Sequence, residues 1–322
     1  MNAEHPPLSR RSFVAGGAAL AATLTGGSAA RAAELTPVST GAIPSDVAAL
    51  TTYAAQLGYF KDNGLDVRVH LLASGPVIVN AVIGGSLDTG SANIGSLILA
   101  RARGVPVKVV APAGLADNSS SGDIIAVRKD SPIQSARDLN GKTVGIIAIK
   151  TMQHAAIDLW IDRRGGDSKS VKFFEIPPSD MLAALESRRV DAILPNEPIT
   201  TLIRPNVRVI GNQWDAMKLP IVVFAAFAME PWLQKNPEVA ARFVTALRQT
   251  AVWANGHRRE TAEILVREAK LDPHLATTMG RSTFGTHVDI AQIQPVADNL
   301  VRYGLLEKPV DLHELIWRPG KA

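Results

Sequence analysis

Serine, threonine and asparagine recur in this chain where an apolar run gives way to a helical pattern. Ser45 stands before 46–57. Ser74 and Gly75 precede Pro76 at the head of a helix that Gly84 and Gly85 close. Asn93 stands before 94–103, Thr151 and Met152 head 152–164, and Asn196 with Glu197 precedes Pro198. Ala42 and Ile43 belong to the loop that leads to Ser45. The first turn of a helix has N–H groups without intrahelical partners and carries the positive end of the backbone dipole. Several such starts aimed into one space can hold an anionic group with neutral donors alone. The same residue types also serve as plain helix caps, and both readings apply at each position.

Two carboxylates lie among these elbows. Asp123 or Glu197, if it faced the same space, would repel a simple anion and favour a ligand that also carries an amine. Each also has a local use: Glu197 favours the N-terminus of its own helix, and Asp123 starts a strand. Lys150 is available to pair with a ligand anion, against the simpler reading of a solvated lysine.

Catalytic sets are missing. The chain has no cysteine, which excludes disulfides, thiolate catalysis and cysteine-based zinc sites. Its seven histidines, at 5, 70, 154, 257, 274, 287 and 313, never take the His-x-x-x-His spacing of a helical metal site. There is no Gly-x-Ser-x-Gly elbow, P-loop or dinucleotide fingerprint. Asp62, Asp66, Asp158 and Asp162 fall at spacings that solvated faces explain. No catalytic residue, metal or cofactor is therefore expected. The formal charge of +4 falls to +2 without residues 1–32, which carry three arginines and one glutamate. That balance, with 5% aromatic residues, points away from nucleic acid.

The elements that must position the elbows come in two α/β series. Ser9-Arg10-Arg11-Ser12-Phe13-Val14, a mild Gly/Ala run and Ala30-Arg31-Ala32 read as a twin-arginine export signal over 1–32, with delivery to the periplasm and no membrane insertion of the mature chain. Strands are expected at 35–39, 65–71, 87–90 and 105–112, alternating with helices, so the sheet should be mostly parallel and covered on both faces. A loop is expected at 40–45. The stretch 121–147 reads as strand, turn, short helix capped by Ser135, a left-handed stop at Asn140-Gly141, and strand. There the chain crosses into a second series: helix 152–164, strand 171–176, helix 180–187 and strand 190–194. The apolar run 221–228 carries the chain back, and helices at 237–253, 258–270, 273–279 and 290–303 should pack on the first lobe. The expected lobes are 33–123 with 226–322, and 124–225, with hinges near 123–127 and 221–225. One internal echo supports two halves of like construction. Residues 81–88, ending Leu87-Asp88, match 184–191, ending Val190-Asp191, as a helix end, a polar turn, and an apolar residue with aspartate leading into a strand.

Several of these residues together resemble a known family. They are Gly58-Tyr59-Phe60 with Gly64-Leu65, Ser74-Gly75, Asp88, Ser131-Pro132 with Asp138-Leu139-Asn140-Gly141-Lys142, and Val190-Asp191-Ala192 followed by Glu197-Pro198. In order and spacing they resemble the nitrate/sulfonate/taurine substrate-binding proteins of ABC importers and their relatives that bind thiamine-pyrimidine precursors. The resemblance implies a type II periplasmic-binding fold, with two α/β lobes, two crossing strands and a helical C-terminal segment packed on the first lobe. It also implies a small-molecule ligand and an ABC permease and ATPase as partners. The chain is expected to act as a monomer that closes around a small anionic or zwitterionic solute such as an aliphatic sulfonate or taurine. The alternatives are a binding protein for a thiamine-pyrimidine precursor or an aromatic acid, and a periplasmic sensor. A further alternative is an enzyme of the same fold, such as the related pyrimidine synthases, whose cysteine-rich iron motif this chain lacks.

Overall fold

A computed structural model describes residues 34–72, 74–119 and 122–319. The expected export signal at 1–32 lies outside the described residues. Strand β1 (Thr36–Ala42) runs beyond the expected 35–39, because Thr40 is buried and pairs with both Val69 and Thr89. Gly41 permits this: a Cβ there would come within 2.8 Å of Ile78 on the helix packed above. A 3-10 turn at Asp46–Ala48 leads into α1 (Leu50–Gln56), and α2 (Tyr59–Asp62) leads into β2 (Leu65–Leu71). Then come α3 (Gly75–Ile83), β3 (Thr89–Asn93), α4 (Ile94–Ala102) and β4 (Val107–Pro112). After a short β5 (Gly114–Ala116), the chain enters β6 (Ile124–Arg128).

The second series is β7 (Thr143–Ile146), α5 (Met152–Arg163), β8 (Lys172–Glu175), α6 (Met181–Glu186), β9 (Ala192–Ile193), α7 (Ile199–Ile203) and β10 (Val207–Asn212). The return is broken into β11 (Ile221–Val222) and β12 (Phe224–Met229), followed by α8 (Glu230–Lys235), α9 (Pro237–Gly256), α10 (Arg258–Glu268) and α11 (Pro273–Thr278). Strand β13 (Thr283–Phe284), α12 (Gln294–Arg302) and α13 (Leu312–Leu315) complete the described chain.

Two five-stranded sheets result, ordered β2-β1-β3-β12-β4 and β10-β6-β9-β7-β8. In each, one strand opposes the other four, and it is the strand by which the chain arrives from the other sheet: β12 in the first, β6 in the second. The expected parallel order therefore holds for strand direction, but the inserted strand makes half of the pairings antiparallel. A third sheet, β11-β5-β13, joins the crossings, with β5 paired antiparallel to both neighbours.

The internal echo has a common mechanism. Asp88 Oδ2 accepts Ser39 N–H at 2.7 Å and Ser39 Oγ–H at 2.7 Å, and Asp191 Oδ2 accepts Thr143 N–H and Oγ1–H, both at 2.9 Å. Each aspartate fastens the segment leading into one strand to the neighbouring strand of its sheet. The preceding turns also agree: Gly85 and Arg188 both take a left-handed backbone, at φ 73° and 61°. Glycine makes this inexpensive in the first turn, and arginine accepts some strain in the second. In the first sheet alone, Asp88 Oδ1 also accepts the indole N–H of Trp232 on α8.

The C-terminal helices do more than cover the first sheet. α9 packs on α1, α2 and β4, with Phe243 stacked on Phe60 at 5.0 Å. α11 reaches α7, and α12 packs on both α4 and α5. One apolar cluster accordingly runs from Ile78 and Leu97 through Val127, Val144 and Trp160 to Leu300. A buried ion pair anchors the segment after α11. Arg281 Nη2 donates to Asp46 Oδ1 at 2.7 Å, and the side chains are 7% and 5% exposed. Asp46 also accepts Tyr53 O–H and Ser282 N–H, while Arg281 donates to Thr261 Oγ1 and to the Arg258 carbonyl.

Candidate ligand-binding site

Helices α3, α4 and α5 each begin where a strand of one of the large sheets ends, the position at which open α/β sheets bind ligands. α3 and α4 belong to the first series and α5 to the second, and their starts converge. Gly75 at the head of α3 lies beside the end of β3, its Cβ direction 3.8 Å from the Ala92 Cβ. Gly95, in the first turn of α4, faces Met152 at the head of α5 so closely that a Cβ would stand 2.9 Å from the Met152 Cβ.

The hydroxyl and amide residues at these starts divide by use. Asn93 accepts Gly95 N–H at 3.0 Å and Thr151 accepts His154 N–H at 3.3 Å, so both cap their own helices. Ser45 and Ser74 occupy N-cap positions with extended backbones but make no side-chain cap bond. Met152 is 3% exposed, with its side chain filling the space opposite Gly95. Its own N–H and that of Gln153 belong to the first turn and have no intrahelical partner. Ala42 is fully buried with its carbonyl bound to Leu72 N–H, and Ile43 is partly buried with its carbonyl bound to Ser45 N–H.

A second group gathers at the crossing. Glu197 Oε1 accepts Gly280 N–H at 2.9 Å and Thr201 Oγ1–H at 3.0 Å, and its Oε2 accepts Thr201 N–H at 3.1 Å. It therefore links the start of α7 to the segment just before Arg281. Asn196, beside it, is half-buried and uses its carbonyl to accept Thr200 N–H. Gly122 packs on Glu197, where a Cβ would meet the Glu197 Cγ at 2.5 Å. Asp123 Oδ2 accepts the Trp214 indole N–H at 2.9 Å, and the Asp123 carbonyl accepts Gln213 N–H at 3.2 Å.

Burial pushes the Asp123 carboxyl up from 3.8 to about 6; the Trp214 bond opposes the rise and the charge of Glu197 adds to it. Between these two values the folded chain holds a proton that the unfolded chain releases, so stability falls as pH rises through the window. Asp123→Asn keeps an acceptor for Trp214 and removes the charge. Its melting temperature should match the parent at pH 4 and exceed it at pH 7, by the equivalent of about 2–3 kcal/mol. Thermal melts of both proteins across this range check it; a constant offset would mean that Asp123 does not titrate in the fold.

Gln213 and Trp214 were not among the expected site residues. Gln213 is 1% exposed, and neither side-chain polar atom has a partner. The signal available in the sequence was the polar run Asn212-Gln213-Trp214-Asp215 at the end of a short alternating strand. The expectation that Asp158 and Asp162 decorate a solvated face is corrected. Asp158 is largely enclosed, and burial, with Asp162 adding, pushes its carboxyl up to about 7. Asp162 accepts Tyr303 O–H at 2.7 Å and Ser168 N–H at 2.9 Å, which ties α5 to the end of α12. Among the described residues, no helix is long and apolar enough to cross a membrane.

The geometry can be set beside known proteins. A family model described as NMT1/THI5 like matches residues 47–261. A protein of Brucella abortus described as a binding protein is 23% identical over 276 residues, covering 81% of this chain and 84% of its own. The taurine-binding periplasmic protein of Escherichia coli is 26% identical over 193 residues, covering 58% of this chain and 56% of its own. Among solved structures, the periplasmic aliphatic sulphonate binding protein SsuA from Escherichia coli superposes with a TM-score of 0.73 at 20% identity, covering 89% of this chain and 93% of that one. The paired sheets with their inserted crossing strands thus form the fold of periplasmic binding proteins, and with the family match spanning more than half of its length, the chain belongs to the NMT1/THI5-like family.

Proposed function

We propose that the chain is the solute-binding component of an ABC importer, exported to the periplasm by a twin-arginine signal at 1–32. On this reading it closes around a small anionic or zwitterionic solute such as an aliphatic sulfonate or taurine and delivers it to a permease and its ATPase. It acts by binding, without catalysis. The lobes are 33–123 with 226–322, and 124–225. The observation that carries the reading is the meeting of the α4 and α5 starts, one from each series, at Gly95 and Met152. Ser45, Ser74 and the first-turn N–H groups of α3 and α5 supply the contacts to the anion, and Asp123 with Gln213 meets the amine of a zwitterionic solute.

A charge-assisted hydrogen bond contributes roughly 1.5–3 kcal/mol. Three or four of them, after association costs, suffice for a micromolar complex at about −8 kcal/mol. A thermal-shift screen of alkanesulfonates, taurine, nitrate and a pyrimidine tests the class, because a ligand at a hundred times its Kd adds about 2.7 kcal/mol. Stabilisation by a sulfonate is the expected result. Stabilisation by the flat heterocycle alone would overturn the oxyanion reading.

Glu197 has a defined place in this scheme. With its oxygens bound to Gly280 and Thr201, it braces the two halves against each other. Glu197→Gln should therefore weaken taurine and a simple alkanesulfonate alike, by roughly tenfold for one weakened charged hydrogen bond. Calorimetry that finds only taurine weakened would instead put the carboxylate on the ligand amine.

A further inference from the structure

A groove of about 670 Å³ lies away from the α4 and α5 starts, between the C-terminal half of α5, the loop around Met217, and α12. On α12 its wall is the stripe Pro295, Asp298, Asn299 and Arg302, at positions i, i+3, i+4 and i+7 of one helix face. α5 contributes Leu159 and Arg163, about two and three turns beyond Met152.

Asn299 stands at the inner edge of that stripe. It is 4% exposed, and neither its amide nitrogen nor its amide oxygen has a hydrogen-bond partner. A buried amide without a partner costs folding free energy, whereas a leucine of similar shape would not. The charges around the groove are unbalanced. Arg163, Lys218 and Arg302 come from three different elements, and all are exposed. The one lining carboxylate, Asp298, already accepts Gln294 Nε2–H at 2.7 Å. Arg163 is held in place by donating one bond to the Ala216 carbonyl, which leaves its other N–H groups for a further acceptor. Leu159 and Met217, both nearly buried, give the groove an apolar side.

We infer that this groove is a second binding site, which takes a small organic anion with an apolar body. The anionic oxygens meet the cationic rim, the body lies on Leu159 and Met217, and the Asn299 amide hydrogen-bonds the ligand at the floor. The volume lies in the range of small-molecule pockets. The site is independent of the solute-binding reading, since no residue assigned to that cleft lines it.

4-Iodobenzoate is a suitable probe, because its iodine can be located directly. Crystals soaked in it should show anomalous density between α5 and α12, and calorimetry should show saturable binding. Lys218→Glu should weaken that binding by roughly tenfold, as expected for loss of one charged contact and gain of a repulsive one. Asn299→Leu should abolish it while leaving the melting temperature unchanged or higher, which a purely structural asparagine would not do. Iodine confined to the α4–α5 cleft, a groove floor bridged by ordered water alone, or binding unchanged in both variants would overturn the inference. A lowered melting temperature in Asn299→Leu would also overturn it, by assigning the amide a structural role.

Discussion

Asp46→Ala should lower the free energy of unfolding by about 3–5 kcal/mol, the range expected when one partner of a buried ion pair is removed. The reason lies in what remains. Arg281 is 7% exposed on its side chain and directs Nε and Nη2 at Asp46, at 3.0 and 2.7 Å. Without the carboxylate, the guanidinium keeps Thr261, Tyr53 and the Arg258 carbonyl but loses its counter-charge. Ser282 N–H and Tyr53 O–H lose an acceptor as well. Burial, the largest cause that holds the Tyr53 hydroxyl well above its ordinary range, persists when Asp46 is removed. Arg281→Met alone should cost a similar amount, and the double variant Asp46→Leu/Arg281→Met should recover much of the loss, because a buried pair can be replaced by apolar packing. Urea unfolding of the parent, Asp46→Leu, Arg281→Met and the double variant as a cycle measures this. Losses that simply add would mean that the two side chains do not act as a unit.

Gly95→Val should leave the unliganded fold standing and weaken solute binding by roughly 10–100-fold, the equivalent of about 1–3 kcal/mol of overpacking. The added side chain has nowhere to go when the helix starts meet. Its Cβ would lie 2.9 Å from the Met152 Cβ and 3.1 Å from the Asn93 Oδ1 that caps the same helix. The strain falls on the arrangement in which α4 and α5 touch, so the variant should favour a separated one. Small-angle scattering with a saturating sulfonate should show compaction in the parent and less in Gly95→Val. Met152→Ala added to Gly95→Val should restore part of the affinity by vacating the space. Unchanged affinity in Gly95→Val would mean that the two starts stay apart in the complex.

The elements legible in the sequence were those whose signals are local. β2 matches its expected 65–71 because its alternation needs no distant partner to be recognised, and Pro76 and Thr151 mark the heads of α3 and α5 through cap chemistry. Ser135 was legible in the same way, and it forms a reciprocal cap with Asp138. Segments that depend on distant partners were not legible. β5 and β13 are only three and two residues long and exist because they pair with each other across the chain. The apolar run 221–228 read as one strand, but Val223 donates its N–H to the Gly114 carbonyl and the chain changes sheets there. At the candidate site, Asn93 and Thr151 could be recognised as caps, whereas Trp214 meets Asp123 across 91 residues of chain. Asp158 looked solvated because its helical spacing says nothing about what packs over that face.

The small β11-β5-β13 sheet has a mechanical corollary. Ile221 and Val222 are laced to Ala116 and Leu115, and Thr283 and Phe284 to Leu115 and Gly114, so three separate passages of the backbone are sewn into one ribbon. Twisting about the long axis of such a ribbon bends its rungs without parting them, whereas sliding one half over the other would shear them. Loss of β11 or of β13 would leave the other still paired to β5, whereas loss of β5 would unpair both at once.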